Sequence, residues 1–169
     1  MAFNADAEAL FAAHQTGLLR YLRRAVGHPE TARDLTQDVF VRIARADGLP
    51  AGEGERRAWI FRIARNLAID HRRRHDVRLT ESECARPETG RPASQDTSAA
   101  VNEALSALDP VDRDVFLLRE AGGLSYAEIA AACDLTASAV RSRLHRARID
   151  LRARLRDPIA AALRRKTHD

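Results

Sequence analysis

The stretch RAWIFRIARNLAIDHRRRH, residues 57–75, returns an apolar side chain every three or four positions inside a run otherwise dominated by arginine. An α-helix satisfies that period and a strand, with its period of two, does not. At about 100° per residue, Trp59, Ile60, Ile63, Ala64 and Leu67 fall on one side. Arg62, Arg65, Asn66, Arg72 and Arg73 fall within an arc of roughly 120° on the other. Such a helix buries one face and presents the other. The Asn66 amide carries donor and acceptor together, which suits a base edge, and the arginines suit the backbone of a nearby strand.

The same period recurs along the chain. Leu10, Leu18, Leu22 and Val26, with Phe11 beside them, mark a first helix, and GHPE ends it and starts a second over about Pro29 to Arg45. That second helix carries the stripe Leu35, Val39, Ile43, flanked by Ala32 and Phe40, and leaves Asp34, Asp38, Arg42 and Arg45 outside. DGLPAGEGE is a turn-rich loop. Residues 77–100 lose the periodicity and gain Pro, Ser, Thr and Gly, as a flexible linker does.

Beyond the linker, Asp109 and Pro110 read as N-cap and first residue of a helix that the Gly122-Gly123 pair closes. Ser125 with Glu128 forms a capping box for a short helix, CDL a tight turn, and Thr136 to Leu155 a longer helix, which together give a helix-turn-helix. With 45% apolar but only 5% aromatic residues, the chain is expected to be all-α. We expect two small helical domains, residues 1–76 and 101–169, joined by a flexible linker over 77–100, the C-terminal one with the helix-turn-helix.

Net charge is only +4, but it is unevenly placed: residues 101–135 hold two basic and seven acidic residues, whereas 136–166 hold ten basic and two acidic. The positive potential is therefore concentrated on the last helix. Val140, Leu144, Ala147, Leu151 and Leu155 share one of its faces; Ser138, Arg141, Ser142 and His145 lie opposite, toward the N-terminal half, where a recognition helix touches base edges. Arg143 and Arg146 on the flank are placed to hold phosphates.

Other chemistries find little support. Cys84 and Cys133 have no metal-type spacing, and the linker thiol is expected to be inert. His71 and His75 are four apart on one helix, but Arg72, Arg73 and Arg74 oppose a dication and sequence places no third ligand, so no metal is expected. No nucleophile motif or glycine-rich phosphate loop is present, so neither catalytic residues nor a cofactor are expected and the chain is read as a non-enzyme. No stretch has the length of a membrane span and the first residues lack a leader pattern, which points to the cytoplasm.

In order and spacing, ARDLTQDVFVRIAR, RAWIFRIARNLAIDHRRR, ALSALDPVDRDVFLLREAGGLSYAEIA and AVRSRLHRARIDLR resemble the extracytoplasmic-function (ECF) group of bacterial RNA polymerase sigma factors, within the sigma-70 family. The resemblance implies binding to core RNA polymerase and promoter-specific transcription initiation, with an anti-sigma protein as a further partner. In such proteins the N-terminal domain captures a flipped base of the minus-ten element and holds the melted strand; the C-terminal helix-turn-helix reads the minus-thirty-five element as duplex. Carried over by motif, Asp34, Gln37, Asp38 and Phe40 would dock on the polymerase, and Arg62, Arg65, Asn66, Arg72 and Arg73 would line the strand-binding face. Ser138, Arg141, Ser142, Arg143, His145 and Arg146 would contact the minus-thirty-five duplex, and the loop Asp47 to Glu55 would help form the base pocket. Phe40 is also expected to be partly core. Of the aromatics, Trp59 is expected on the buried face and Phe61 is the candidate wedge for strand opening. Three positions depart from the family's common residues: Asp134 for Gly in the turn, Ala139 for Thr, and Cys133 for Leu.

A relaxed 24-residue linker averages about 27 Å end to end, against the roughly 70 Å that separates elements two DNA turns apart. It is therefore expected to extend on the polymerase, while in the free chain the two domains pack together and hide their DNA faces. The main rival reading is a helix-turn-helix regulator that binds an operator without polymerase. It leaves the acidic helix and the face in residues 57–75 without a use. A module whose basic faces bind an acidic protein is a further class.

Overall fold

The computed structural model describes residues 5–81 and 93–166, with side chains placed over 7–75 and 99–156. Among the described residues there are seven helices and no strand: α1 Ala5–Val26, α2 Pro29–Ala44, α3 Glu53–Glu81, α4 Ala93–Ser106, α5 Pro110–Glu120, α6 Tyr126–Cys133 and α7 Ala137–Lys166. Helices α1 to α3 form one domain and α4 to α7 a second.

In the first domain, α1 and α2 pack as an antiparallel hairpin across Gly27, whose φ of 77° lets the chain reverse. Leu18, Leu22, Leu35, Val39 and Ile43 close its core against Ile60, Ala64 and Leu67 of α3. In the second, Val115 and Leu118 of α5 meet Val140, Leu144, Ala147 and Leu151 of α7. Local signals set the ends: the Asp109 side chain accepts from the Val111 and Asp112 amides, and the Ser125–Glu128 box is formed in both directions. Thr136 Oγ1 accepts from the Ala139 amide at 3.1 Å and starts α7.

Both ends of the segment expected as linker are helical. Helix α3 runs on to Glu81 because the next breaker in sequence is Pro87, and α4 begins at Ala93, directly after Pro92. The middle of that segment, with Cys84, lies outside the described residues.

Asp134 ends α6 with φ 54° and ψ 46°, so the helix-turn-helix turn holds a left-handed backbone on a side chain where glycine fits without cost. Its ion pair with Arg62, at 3.8 Å and largely exposed, contributes little. Asp134→Gly is therefore expected to stabilise the chain by about 0.5–1 kcal/mol, read as a small rise in melting temperature.

The two domains dock. Helix α6 lies on α3 and α5 on α1. Gly122 permits the approach: a Cβ there would stand 2.7 Å from the Leu118 carbonyl oxygen and 2.9 Å from Phe61 Cε1. Phe61 is 1% exposed at this seam, with its ring edge-on to Tyr21 at 6.0 Å, while Trp59 is only half-buried. Trp59 packs partly against the core, on the side expected, whereas Phe61, the expected wedge, is fully buried, because α3 is covered from two sides and its buried arc extends to Phe61.

Candidate nucleic-acid interface

The polar face of α3 divides into two lines. Arg65 and Arg72, seven apart, nearly superpose when viewed down the helix; Arg62, Asn66 and Arg73 form a second line beside them. The first line is covered by the C-terminal domain. Arg65 Nε donates to Asp114 Oδ2 at 2.9 Å and Arg72 Nη2 to Asp114 Oδ1 at 3.1 Å. The Asp114 side chain is 2% exposed, and each arginine side chain 17%. Asn66 and Arg73 reach solvent, as does Arg62.

Other groups hold the same seam. Arg57 Nη2 donates to the carbonyls of Gly122 (3.1 Å) and Gly123 (3.0 Å), and Arg20 Nε donates to the carbonyl of Ala121. The Tyr21 hydroxyl, Arg57 Nε and Arg72 Nη1 are buried there without a hydrogen-bond partner.

On α7, Ser138, Arg141, Ser142 and His145 are all exposed on one face, and Ser142 Oγ donates to the Ser138 carbonyl at 3.1 Å. The flanking arginines are held by their own domain: Asp112 accepts from Arg143 Nη1 at 2.7 Å and from Arg146 Nε at 3.1 Å. Burial pushes the Asp112 carboxyl up, but the hydrogen bonds from Arg146 and Arg143 outweigh it and hold the group below its ordinary value. Asp112 and Asp114 are two apart on α5 and so point to opposite sides, one to α7 and one to α3.

Asp34, Gln37 and Asp38 are exposed on α2, whereas Phe40 is half-buried with its ring centroid 4.8 Å from that of Phe11. The loop before α3 is tied back by Arg56, whose Nη1 donates to the Ala51 carbonyl at 3.0 Å. Beneath it lies a cleft of about 680 Å³ lined by Leu10, His14, Leu49, Glu53 and Arg56, among others. Burial, and then Arg57, lower the pKa of His14 and favour its neutral form.

Sequence reasoning passed over Asp114, Arg57 and His14. The acidic block 101–135 contained the signal for Asp114, but charge counting does not say which carboxylate faces which arginine.

Comparisons with known proteins agree with this architecture. Sigma-70 region 2 matches residues 10–78 and Sigma-70, region 4 matches residues 98–151. The chain is 32% identical over 155 residues to RNA polymerase sigma factor YlaC of Bacillus subtilis, covering 86% of this chain and 89% of that protein. It is 31% identical over 144 residues to RNA polymerase sigma factor CarQ of Myxococcus xanthus, covering 82% and 83%. Among solved structures, CnrH in complex with the cytosolic domain of CnrY superposes with a TM-score of 0.69 at 33% identity, covering 91% of this chain and 90% of that one. The sigma factor RpoE in complex with the anti-sigma factor NepR from Bartonella quintana gives 0.65 at 25% identity, covering 90% and 95%. With both regions in order, and YlaC and CarQ matched over 89% and 83% of their lengths, the chain belongs to the extracytoplasmic-function group of sigma-70 family RNA polymerase sigma factors.

Proposed function

We propose that this chain binds core RNA polymerase through the exposed acidic face of α2 and directs initiation at promoters through two separate DNA faces. Asp34, Gln37 and Asp38 would meet the polymerase, with Phe40 bracing their helix against Phe11. Asn66, Arg62, Arg65, Arg72 and Arg73 would hold the melted minus-ten strand, and the cleft beneath the loop before α3 would take a flipped base. Ser138, Arg141, Ser142 and His145 would read the minus-thirty-five duplex. Arg143 and Arg146 would contact phosphates only by sharing Asp112.

The observation that carries this reading is the state of the α3 face. Two of its five polar residues share the single carboxylate of Asp114, while Asn66 and Arg73 reach solvent. We read the docked chain as a resting form whose strand-binding face is completed when polymerase draws the domains apart. An anti-sigma protein is the expected inhibitory partner, by analogy with the complexes of RpoE and CnrH. The chain would work in the cytoplasm, where polymerase and promoters are, and would make and break no covalent bond itself.

Transcription by purified core polymerase on a library of promoters tests this. New start sites sharing two upstream elements are expected. Asn66→Ala should reduce them by about 10–100-fold, the value of one bidentate base contact, with polymerase binding unchanged. Absence of any stimulation would overturn the reading.

A further inference from the structure

A cleft of about 590 Å³ opens between α1 and α4, away from both the polar face of α3 and the exposed face of α7. Arg20, Arg23 and Arg24 of α1 line it, with Gln15 and Leu19 on the preceding turns and Asn102 contributed by α4. Among the described residues no carboxylate lines the recess, so every formal charge in it is positive.

The three arginines are all exposed, and Arg20 lies at i, i+3 from Arg23 and i, i+4 from Arg24, the spacings at which like charges on a helix repel. Among the described residues neither Arg23 nor Arg24 forms an ion pair. The dipole of α1 favours basic side chains in its last turn, which accounts for Arg23 and Arg24 singly. It gives no reason for Arg20, or for the recess that all three line. Arg20 Nε donates to the Ala121 carbonyl, which leaves its two Nη groups for another acceptor.

We propose that this cleft binds a nucleotide carrying two or more phosphates. Guanidinium forks match phosphate oxygens two at a time, and three of them call for more than one phosphate. The amides of Gln15 and Asn102 each carry donor and acceptor for a base edge, and Leu19 offers an apolar wall beside them. The volume lies in the range of small-molecule sites, roughly 300–1,000 Å³. A nucleic-acid backbone would also suit the arginines, but Asn102 bounds the recess on the α4 side, which admits a compact ligand better than a strand running through. Asn102 and the carbonyl held by Arg20 belong to the second domain, so the ligand bridges the two domains and binds the docked form better than the open one. Its role as a brake on initiation rests on reading that docked form as the resting state.

The test is calorimetric titration of ADP and of GDP into the full chain at physiological salt, with energy transfer between labels on α2 and α7 alongside. At least one of the two should bind at one equivalent and shift the labels toward the closed form. Each charge-assisted contact is worth about ten-fold, so Arg23→Gln/Arg24→Gln should weaken binding about 100-fold and Asn102→Ala about 3–10-fold. Arg154→Gln, an exposed arginine outside the cleft, should change nothing. Gln is nearly as good a helix former as Arg, so the double variant should fold, and an unchanged ligand-free melting curve verifies it. No binding by the parent chain overturns the proposal, as does undiminished binding by Asn102→Ala. Equal losses in Arg154→Gln and the double variant also overturn it, since the attraction is then diffuse. If the double variant loses affinity for a labelled single-stranded oligonucleotide while neither nucleotide binds the parent, the arginines serve a nucleic-acid backbone instead. Binding is read without polymerase, so a failure to stimulate transcription is distinguishable from a failure of this site.

Discussion

An Asp114→Ala chain is expected to populate a form with its two domains apart, and to bind single-stranded DNA more tightly than the parent chain without polymerase. Among the described residues, Asp114 is the carboxylate that pairs with Arg65 and Arg72. Truncating one partner of a buried, hydrogen-bonded charge pair costs about 2–5 kcal/mol. Both arginines keep a route to water, so the low end applies: about 2 kcal/mol, or roughly a thirty-fold shift toward the open form. The arginines lose nothing by this, because on opening they are hydrated and available to phosphate.

Domain separation measured by small-angle scattering or by energy transfer between labels on α2 and α7 reads the first effect. Titration with a labelled oligonucleotide at fixed salt reads the second. Asp112→Ala is the internal control. Asp112 binds Arg143 and Arg146 of its own domain, so its loss should lower the stability of the C-terminal domain and leave docking and single-strand binding nearly unchanged. If Asp114→Ala stays compact and binds the strand no better, the Asp114 pairs do not restrain the α3 face.

The contrast between these two carboxylates shows what the sequence could and could not yield. Helical period alone placed the polar arc of α3 and the exposed polar arc of α7, because each is a property of one helix. The capping signals at Asp109 and Ser125 are likewise local and appear in the structure as read. Pairing across the chain is not local. That Asp112 and Asp114 point to opposite sides follows from their spacing, but that α3 would be the neighbour on the second side does not. The contact of His28 with His75, ring centroids 6.5 Å apart, has the same character: it exists only because the α1–α2 corner folds back onto α3. Phe61 was misplaced for a related reason. A single apolar stripe was assumed for a helix that has one domain on each flank, and the second flank buries Phe61.

That burial makes Phe61→Ala the largest expected loss of stability. The ring is 1% exposed, edge-on to Tyr21, with Cζ 3.5 Å from where a Cβ on Gly17 would stand and Cε1 2.9 Å from one on Gly122. No small side chain in that setting can relax to fill the space. Removing a buried phenylalanine ring costs about 3–5 kcal/mol, of a total that rarely exceeds 5–15 kcal/mol. For domains of this size, at about 4–8 °C per kcal/mol, that corresponds to a fall of roughly 12–40 °C in melting temperature, measured by circular dichroism. Phe61→Leu separates core packing from a part in strand opening. If the ring only packs, leucine should cost far less stability than alanine and transcription should follow the folded fraction. A Phe61→Leu chain that melts like the parent, binds polymerase and fails to open promoters would instead make Phe61 a wedge, released from the seam when Gly122 and its domain move away.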